Sequence, residues 1–251
     1  MALIIMAVHD LEGSGRTEYT RRTLQGLLDT VEIKKHRLVV VDNDSCQETK
    51  ATLNRIFDSM IRAGISCSLI INKENRGTAK AINQGLQQRK DGEYCIKIDN
   101  DVVIHEYGWI EQMQEAMQRM DATDEPAGIV GLKRKDLDER PDRTDWAHSE
   151  LIMTPSQKGE RWVVLEKVAH VMGTCQMINP KLLDVIGGYY QMEGKYGFDD
   201  SLLSVRSNCA GFQNYFLPHI DIDHIDVGGT DYQKWKEKHS GEMMQQYLQI
   251  R

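Results

Sequence analysis

The first 120 residues alternate short apolar runs with stretches of helical periodicity, and this alternation constrains the fold more than any other feature. Four runs have the length and apolar character of buried strands, at residues 3–8, 38–41, 67–71 and 94–98. Each is followed by apolar residues at helical spacing. Because repeated strand–helix units favour a parallel sheet with right-handed crossovers, the first half is predicted to be Rossmann-like.

The second half is less regular. Residues 133–161 are rich in charge and poor in periodic apolar residues, which predicts a long surface loop, either an acceptor-recognition lid or a disordered insertion. Ordered structure is expected to resume at 162–165 and 168–178, with a short strand at 212–217. Further helices are expected after Asn179-Pro180, over 199–210 and after Thr230. We therefore expect a single α/β domain with a mostly parallel central sheet flanked by helices, and a smaller second sheet.

Composition argues against several classes of protein. The five cysteines are scattered and never form a C-x-x-C pair, which argues against a disulfide framework or structural zinc. The net charge of −7 is unlike that of a protein with a broad nucleic-acid-binding face, although it leaves room for a local basic groove. No apolar run approaches the roughly 20 residues that span a bilayer, and the first residues lack a basic signal-peptide lead. A cytoplasmic protein without a membrane anchor is expected.

Two carboxylates follow the fourth predicted strand at once. Asp99 and Asp101 flank Asn100 at the carboxyl end of that strand, where open α/β sheets collect their ligands. A Mg²⁺ or Mn²⁺ ion bound to a diphosphate commonly takes only one or two protein carboxylates. Asp and Asn also favour turns, so spacing alone supports a plain turn equally well. The segment is a candidate metal and catalytic site.

This segment and several others occur in the same order as the motifs of the family 2 glycosyltransferases of GT-A fold. The chain resembles that family over nearly its whole length. The matching segments are the first strand and helix at 3–28, V-V-D-N-D-S at 40–45, N-R-G-T-A-K-A-I-N at 75–83, D-N-D at 99–101, G-G-Y at 187–189 and D-D-S-L-L-S-V-R at 199–206. Asp199 stands where the family more often has Glu, and Leu202 where it often has an acid. The resemblance implies that residues 1–125 hold the donor and residues 126–251 the acceptor.

The resemblance implies a metal-dependent enzyme that moves a sugar from a nucleotide-sugar donor, with a UDP-sugar favoured, to an acceptor hydroxyl. The acceptor could be a glycan, a small molecule or a modified nucleic-acid base. Asp101 would bind Mn²⁺ or Mg²⁺, and Asp99 would contact the ribose or a metal-bound water. His224 would be a further metal ligand, with His219 as the alternative, and a histidine ligand would favour Mn²⁺.

Other site residues follow from the same resemblance. Asp42 would accept a hydrogen bond from the nucleobase, and its pocket would be lined by Ala7, His9 and Arg76, with Asn75 and Asn100 nearby. The plain alternatives are a helix-capping Asp42, a surface Arg76 and a turn-forming Asn75.

The acidic pair at the start of the 199–210 helix is the expected source of acid–base chemistry. Asp200 is the expected general base and Asp199 its neighbour, although both could serve only as helix caps. A base that deprotonates the acceptor implies inversion at the anomeric carbon, with retention left open.

Two rival functions and a lid complete the expectations. The glycine-rich segment at 12–17, which contains Arg16, resembles the loop of sugar-1-phosphate nucleotidyltransferases but lacks their opening glycine pair. A non-catalytic sugar-nucleotide or glycan-binding module is the other rival. The charged loop and the terminal helix, hinged at Gly228-Gly229, are expected to close over the donor and exclude water.

Overall fold

One mixed sheet of ten strands forms the centre of the molecule. The computed structural model describes residues 1–135, 150–155, 162–226 and 231–250. The strands are β1 (Ala2–Val8), β2 (Arg37–Asn43), β3 (Cys67–Asn72), β4 (Tyr94–Ile98), β5 (Val102–Ile104), β6 (Ala127–Arg134), β7 (Glu150–Pro155), β8 (Trp162–Val168), β9 (Cys175–Ile178) and β10 (Gln213–His224). Their order in the sheet is β3-β2-β1-β4-β9-β6-β10-β8-β7, and β5 pairs with β10 outside this path.

Seven helices flank the sheet in the described ranges. They are α1 (Arg16–Thr30), α2 (Gln47–Arg62), α3 (Thr78–Leu86), α4 (Trp109–Met120), α5 (Pro180–Ile186), α6 (Asp199–Cys209) and α7 (Asp231–Ile250), with a 3-10 turn at Ile33–Lys35. Asn179 caps α5 by accepting a hydrogen bond from Lys181 N, and proline opens the helix, as predicted. In the described ranges, none of these helices combines the length and apolar character needed to cross a bilayer.

Both faces of the sheet are buried, as the continuous apolar strands predict. In β1, Ile4 and Met6 join the hydrophobic core on one face, and Leu3 and Ile5 join the core on the other. This division follows from the alternation of side chains along a strand. Gly85 of α3 packs so closely on Ile5 that a Cβ there would come within 2.4 Å of it. The two cores hold the strand ends, where the site residues lie, in fixed positions.

The predicted parallel half is confirmed, but the rest of the sheet differs from the expectation. Strands β3, β2, β1 and β4 are parallel neighbours. Strand β9 is antiparallel to both β4 and β6, and β8 is antiparallel to β10 and β7. The sheet is therefore mixed rather than mostly parallel, and the described strands belong to one sheet without a separate smaller one.

The predicted loop at 133–161 is wrong where the structure describes it. Strand β6 runs on to Arg134, and Glu150–Pro155 forms a hairpin with β8 at the edge of the sheet. This edge strand is mostly exposed, and its apolar run, Leu151 to Met153, is shorter than the runs that identify a buried strand. Residues 136–149 and 156–161 lie outside the described part of the chain.

Strand β10 extends beyond the predicted 212–217 and reaches His224. It pairs in parallel with β6 and then, after an irregularity between Leu217 and Asp221, pairs antiparallel with β5, where His224 faces Val102. Buried Ile220 and Ile222 alternate with outward-facing residues in this extension. The extension therefore brings the end of β10 to the turn after β4.

Candidate active site

The Asp99-Asn100-Asp101 turn is fixed from three sides. Asn100 Nδ2 donates to Asp10 Oδ1 at 3.0 Å and to Thr20 Oγ1 at 2.8 Å. The carbonyl of Asp101 accepts from Ile225 N at 2.8 Å. Because the segments that hold the turn come from α1, the loop after β1 and the end of β10, the position of Asp101 depends on the whole fold.

The Asp101 carboxylate has one oxygen engaged and one without a hydrogen bond. Its Oδ2 accepts from Arg16 Nη2 at 2.9 Å, whereas its buried Oδ1 has no hydrogen-bond partner in the described ranges. His224 Nε2 lies 3.6 Å from that oxygen. Burial alone would raise the pKa of Asp101, but His224 and Arg16 outweigh it and lower the pKa. An ionised oxygen and an imidazole nitrogen that face each other in this way fit a shared divalent cation.

The alternative histidine lies elsewhere. His219 Nε2 is 3.1 Å from Gln112 Oε1 on α4, away from Asp101. The described ranges hold no cluster of three or more His, Cys, Asp or Glu side chains that would bind a metal ion without other ligands. A cation here would therefore need substrate oxygens or water beside Asp101 and His224.

Arg16 is the main residue of this site that sequence reasoning missed. Its side chain is 3% exposed and lies 2.9 Å from Asp101, 2.6 Å from Asp226 and 3.8 Å from Asp10. The glycine-rich turn before it was the available signal, because the left-handed Gly13 and Gly15 lead the chain directly into α1. The guanidinium joins α1, the turn after β4 and the segment after β10.

Asp99 is paired on the opposite side of the turn. Lys97, buried in β4, donates to Asp99 Oδ1 and to the Gly173 carbonyl. Burial lowers the pKa of Lys97, but the charges of Asp99 and Asp199 outweigh it, so the pKa is raised. The Asp99 side chain is 35% exposed, so this carboxylate is accessible to a ligand.

The two carboxylates at the start of α6, Asp199 and Asp200, differ in their hydrogen bonds and in their pKa values. Asp200 accepts from Gly173 N at 3.0 Å and from Ser201 N at 2.8 Å, and His170 Nε2 lies 3.5 Å from its Oδ2. Burial would raise the pKa of Asp200, but His170, Lys97 and the Gly173 N–H bring it to about 2. Burial and the neighbouring Asp200 charge raise the pKa of Asp199 to about 6.

The predicted nucleobase residues gather at the ends of β1 and β2, but not all face outward. Asp42 is fully buried and its Oδ1 accepts from Ser45 N at 2.9 Å, so the turn-stabilising alternative describes this contact. Its Oδ2 has no hydrogen-bond partner in the described ranges. Asn75 Oδ1 accepts from Asn43 Nδ2 and from Gly77 N.

Ala7, His9, Asn75 and Arg76 are the more accessible members of this predicted set. Ala7 and His9 are partly exposed and Arg76 is exposed. His9 Nδ1 lies 3.0 Å from the carbonyl of Asn43, and burial of the ring lowers the His9 pKa despite that hydrogen bond.

Helix α7 packs against this edge of the site. The ring centroid of Trp235 lies 5.4 Å from that of His9 and 6.0 Å from that of Tyr196. Met243 is buried with Met192 and Leu202. The predicted terminal helix is thus confirmed, whereas its capping residue Thr230 and the hinge Gly228-Gly229 lie outside the described residues.

A cavity opens between α3 and the segment that precedes α6. Gly77, the residue before α3, has φ +89°, and a Cβ there would lie 2.9 Å from the Gly194 carbonyl. The Thr78 N–H also donates to the Lys195 carbonyl at 3.2 Å. The lining residues are Arg76 to Lys80, Tyr190, Met192, Gly194 to Gly197, Asp199 and Met243. The cavity therefore joins Arg76 and Asp199 in one space.

Comparison with known proteins gives a consistent result. A family model described as glycosyl transferase family 2 matches residues 5–187. Among curated proteins, the chain is 22% identical over 229 residues to the uncharacterized protein y4gI of Sinorhizobium fredii. The aligned region covers 87% of this chain and 24% of that protein. The chain thus spans about a quarter of that relative.

Solved structures share the fold at low identity. The Pyrobaculum calidifontis mannosyltransferase PcManGT, in complex with GDP-Man and Mn²⁺, superposes with a TM-score of 0.64 at 17% identity, over 93% of this chain and 59% of that chain. Residues 1–349 of S. aureus TarS, in complex with UDP-GlcNAc, give a TM-score of 0.62 at 15% identity, over 91% and 61%. These similarities confirm the GT-A fold.

Proposed function

The chain belongs to glycosyl transferase family 2, and from that premise we propose that it moves a sugar from a nucleotide-sugar donor to an acceptor hydroxyl in a metal-dependent reaction. The observation that carries this proposal is the buried Asp101 Oδ1, which has no hydrogen bond in the described ranges and lies 3.6 Å from His224 Nε2. These atoms meet at the carboxyl end of a central strand, where α/β sheets bind ligands. The expected cytoplasmic location stays a prediction.

Asp101 and His224 would hold Mn²⁺ or Mg²⁺, together with donor phosphate oxygens. When bound, the cation neutralises charge that develops on the departing diphosphate. Arg16 orients Asp101 by engaging its other oxygen. Asp99, paired with Lys97 but accessible, contacts the ribose or a metal-bound water, and Asn100 holds the turn.

The nucleotide would lie at the edge formed by the ends of β1 and β2. We assign direct contact to Ala7 and His9, which are partly exposed. Asn75 is as accessible, but its Oδ1 is engaged by Asn43 and Gly77, and the exposed Arg76 lines the cavity beside Asp199 instead. Buried Asp42 supports the turn beneath them and would reach a nucleobase only after the turn moves. The solved relatives were crystallised with GDP-Man or UDP-GlcNAc, so both nucleotides need testing, with UDP-sugars first.

We assign the general base to Asp199 rather than to Asp200, the residue expected from the sequence. Two observations support this choice. Asp199 lines the cavity and has a pKa of about 6, which suits proton acceptance near neutral pH. Asp200 is held by two backbone N–H groups and has a pKa of about 2, so it is a weaker base, and its charge helps to raise the pKa of Asp199. Asp199 would take the proton of the acceptor hydroxyl while the hydroxyl oxygen attacks the anomeric carbon and the nucleoside diphosphate leaves, which gives inversion.

Two observations weigh against the nucleotidyltransferase rival. Arg16 is buried among carboxylates rather than presented to a phosphate, and the glycine-rich turn leads only into α1. Release of pyrophosphate from UTP and a sugar phosphate would support that rival. Binding of UDP without turnover of any donor would support the non-catalytic one.

The direct test is a donor-hydrolysis screen, in which water serves as acceptor, with several UDP- and GDP-sugars and Mn²⁺. We expect turnover of at least one donor, a loss of about 10²–10⁴-fold in Asp199→Asn, and retained UDP binding in that variant. The exposed Asp221→Asn is the matched control and should match the wild type. Absence of turnover with every donor would refute the proposal, and an active Asp199→Asn beside an inactive Asp200→Asn would reverse the base assignment. The anomeric configuration of the product, read by NMR, decides between inversion and retention.

A further inference from the structure

The cavity beside Asp199 carries three cationic side chains. Arg76, Lys80 and Lys195 line it, and none of them forms an ion pair with another described residue. Asp199 is the one acidic residue of this lining. The chain as a whole is acidic, with a net charge of −7. The positive charge of this cavity lining is therefore opposite in sign to the net charge of the protein.

The backbone adds to this positive character. Helix α3 begins at Thr78, and Gly77 before it gives no side-chain hydrogen bond to the helix start. Ala79 and Lys80, from the first turn, face the same cavity. The N-terminal end of a helix carries partial positive charge and N–H groups without helical acceptors, which favour anions. The Thr78 N–H already donates to the Lys195 carbonyl, so the N–H groups of Ala79 and Lys80 are the ones that an anion would engage. The helix end and the three side chains thus point to the same kind of ligand.

Asp199, the proposed general base, lines the same cavity as these cationic side chains. A hydroxyl placed at Asp199 leaves the rest of its molecule in the cavity, beside Lys80 and Lys195. Tyr190 and Tyr196 line the same space and offer aromatic surface to a sugar ring. Glu193, two residues before Lys195, does not line the cavity and so leaves it cationic.

We propose that this cavity binds a phosphate or carboxylate group of the acceptor, so that the acceptor is an anionic molecule whose hydroxyl lies near Asp199. The proposal rests on the proposed transferase function for the identity of the acceptor. The binding of an anion by the cavity does not depend on that function. The donor diphosphate is the other source of the same chemistry, and it is expected instead at Asp101.

The experiment follows inorganic phosphate by ¹⁵N–¹H NMR, in the full chain, at low ionic strength. Phosphate should shift the amides of Ala79, Lys80 and Lys195 in a saturable way. The variant Lys80→Gln/Lys195→Gln should weaken phosphate binding by about tenfold or more, because it removes two cations that can donate charge-assisted hydrogen bonds to the anion. The variant Lys34→Gln/Lys90→Gln, which removes two exposed lysines outside the cavity, should bind phosphate as the wild type does.

A second titration separates the acceptor from the donor. With UDP and Mn²⁺ already bound, phosphate should still shift the same amides, because its site is distinct from that of the diphosphate. Displacement of phosphate by UDP would overturn the acceptor assignment, and so would weaker UDP binding in the cavity variant alone. Absence of saturable shifts, or equal weakening in the control variant, would overturn the anion site itself. Phosphate binding in a protein that turns over no donor would leave the cavity assigned and refute the transferase proposal instead.

Discussion

Arg16 Nη2 donates a hydrogen bond to Asp101 Oδ2 at 2.9 Å, and the other oxygen of that carboxylate lies 3.6 Å from His224 Nε2. One side of Asp101 is therefore fixed by an internal cation, and the other side faces the imidazole. The same guanidinium holds Asp226, two residues beyond His224, at 2.6 Å. Arg16 thus connects the two segments that supply the candidate metal ligands.

Removing the Arg16 charge should destabilise the fold. Arg16→Met leaves the buried Asp101, Asp226 and Asp10 without their shared cation, and breaking a buried ion pair in this way costs about 3–5 kcal/mol. Urea unfolding measures the change. Arg21→Met, which breaks only an exposed pair with Glu18, should unfold like the wild type. Equal unfolding midpoints for the two variants would contradict the structural role of Arg16.

The ionisation of Asp199 should control the pH dependence of turnover. Its pKa of about 6 predicts that donor hydrolysis falls as the pH drops below about 6, because the base becomes protonated. The negative charge of Asp200 is one cause of this raised pKa. Asp200→Asn should therefore move the acidic limb of the pH profile to lower pH. A limb that stays in place would show that the two carboxylates are not coupled.

The same shift has a consequence for stability. A raised pKa means that the folded state binds the Asp199 proton more tightly than the unfolded state does. Its contribution is present below about pH 4 and is lost as the pH rises through about 6. The free energies of unfolding of the wild type and of Asp199→Asn should therefore differ by an amount that falls as the pH rises from about 4 to about 6. A difference that stays constant over this range would contradict the raised pKa of Asp199.

Gly77 should tolerate no side chain. Gly77→Ala forces a left-handed residue to carry a Cβ that lies 2.9 Å from the Gly194 carbonyl, so the segment before α6 must move. We expect the free energy of unfolding to fall by about 1–3 kcal/mol and the cavity to bind phosphate more weakly. Gly92 also has a positive φ but has nothing within 4 Å of a Cβ. Gly92→Ala should lose only the backbone part, so similar losses in the two variants would contradict the packing argument.

Trp235 offers a test of the expectation that helix α7 closes over the donor as a lid. Its contact with His9 places α7 at the proposed nucleotide edge, so UDP with Mn²⁺ should slow proteolysis within residues 231–250. Trp235→Ala should reduce this protection and weaken UDP binding, whereas Trp162→Ala, on the exposed edge hairpin, should do neither. Cleavage that is unchanged by ligand in the wild type would refute the lid.

The sequence predicted the parallel half of the fold because its central strands β1, β2 and β4 are buried on both faces. Runs such as the one from Leu38 to Val41 consist of apolar residues on both faces of the sheet and are hard to interpret otherwise. Strand β7 could not be predicted in the same way, since its apolar run is only three residues long, and Leu151 and Met153 in that run are exposed at a sheet edge. Its pairing with β8 is a tertiary contact that local pattern does not encode.

The candidate site was predictable where a motif specifies a strand end, as at Asp99 and Asp101. His224 was named by resemblance, and its choice over His219 gains support from the β5–β10 pairing that places it at Asp101. Arg16 was missed because Asp101 and Asp226, its two nearest carboxylate partners, are distant in sequence. The difference in surroundings between Asp199 and Asp200 depends on His170 and Gly173, which no local pattern connects to α6.

The most direct test of the metal-dependent donor site is calorimetric titration of UDP with and without Mn²⁺, comparing His224→Asn with His219→Asn. Both histidines belong to β10, but only His224 lies beside Asp101. We predict that Mn²⁺ strengthens UDP binding in the wild type and in His219→Asn. In His224→Asn and in Asp101→Asn, the Mn²⁺-dependent gain should fall by about tenfold or more, equal to roughly 1.4 kcal/mol. UDP binding that is indifferent to Mn²⁺ in the wild type, or a gain that survives in folded Asp101→Asn, would contradict the account.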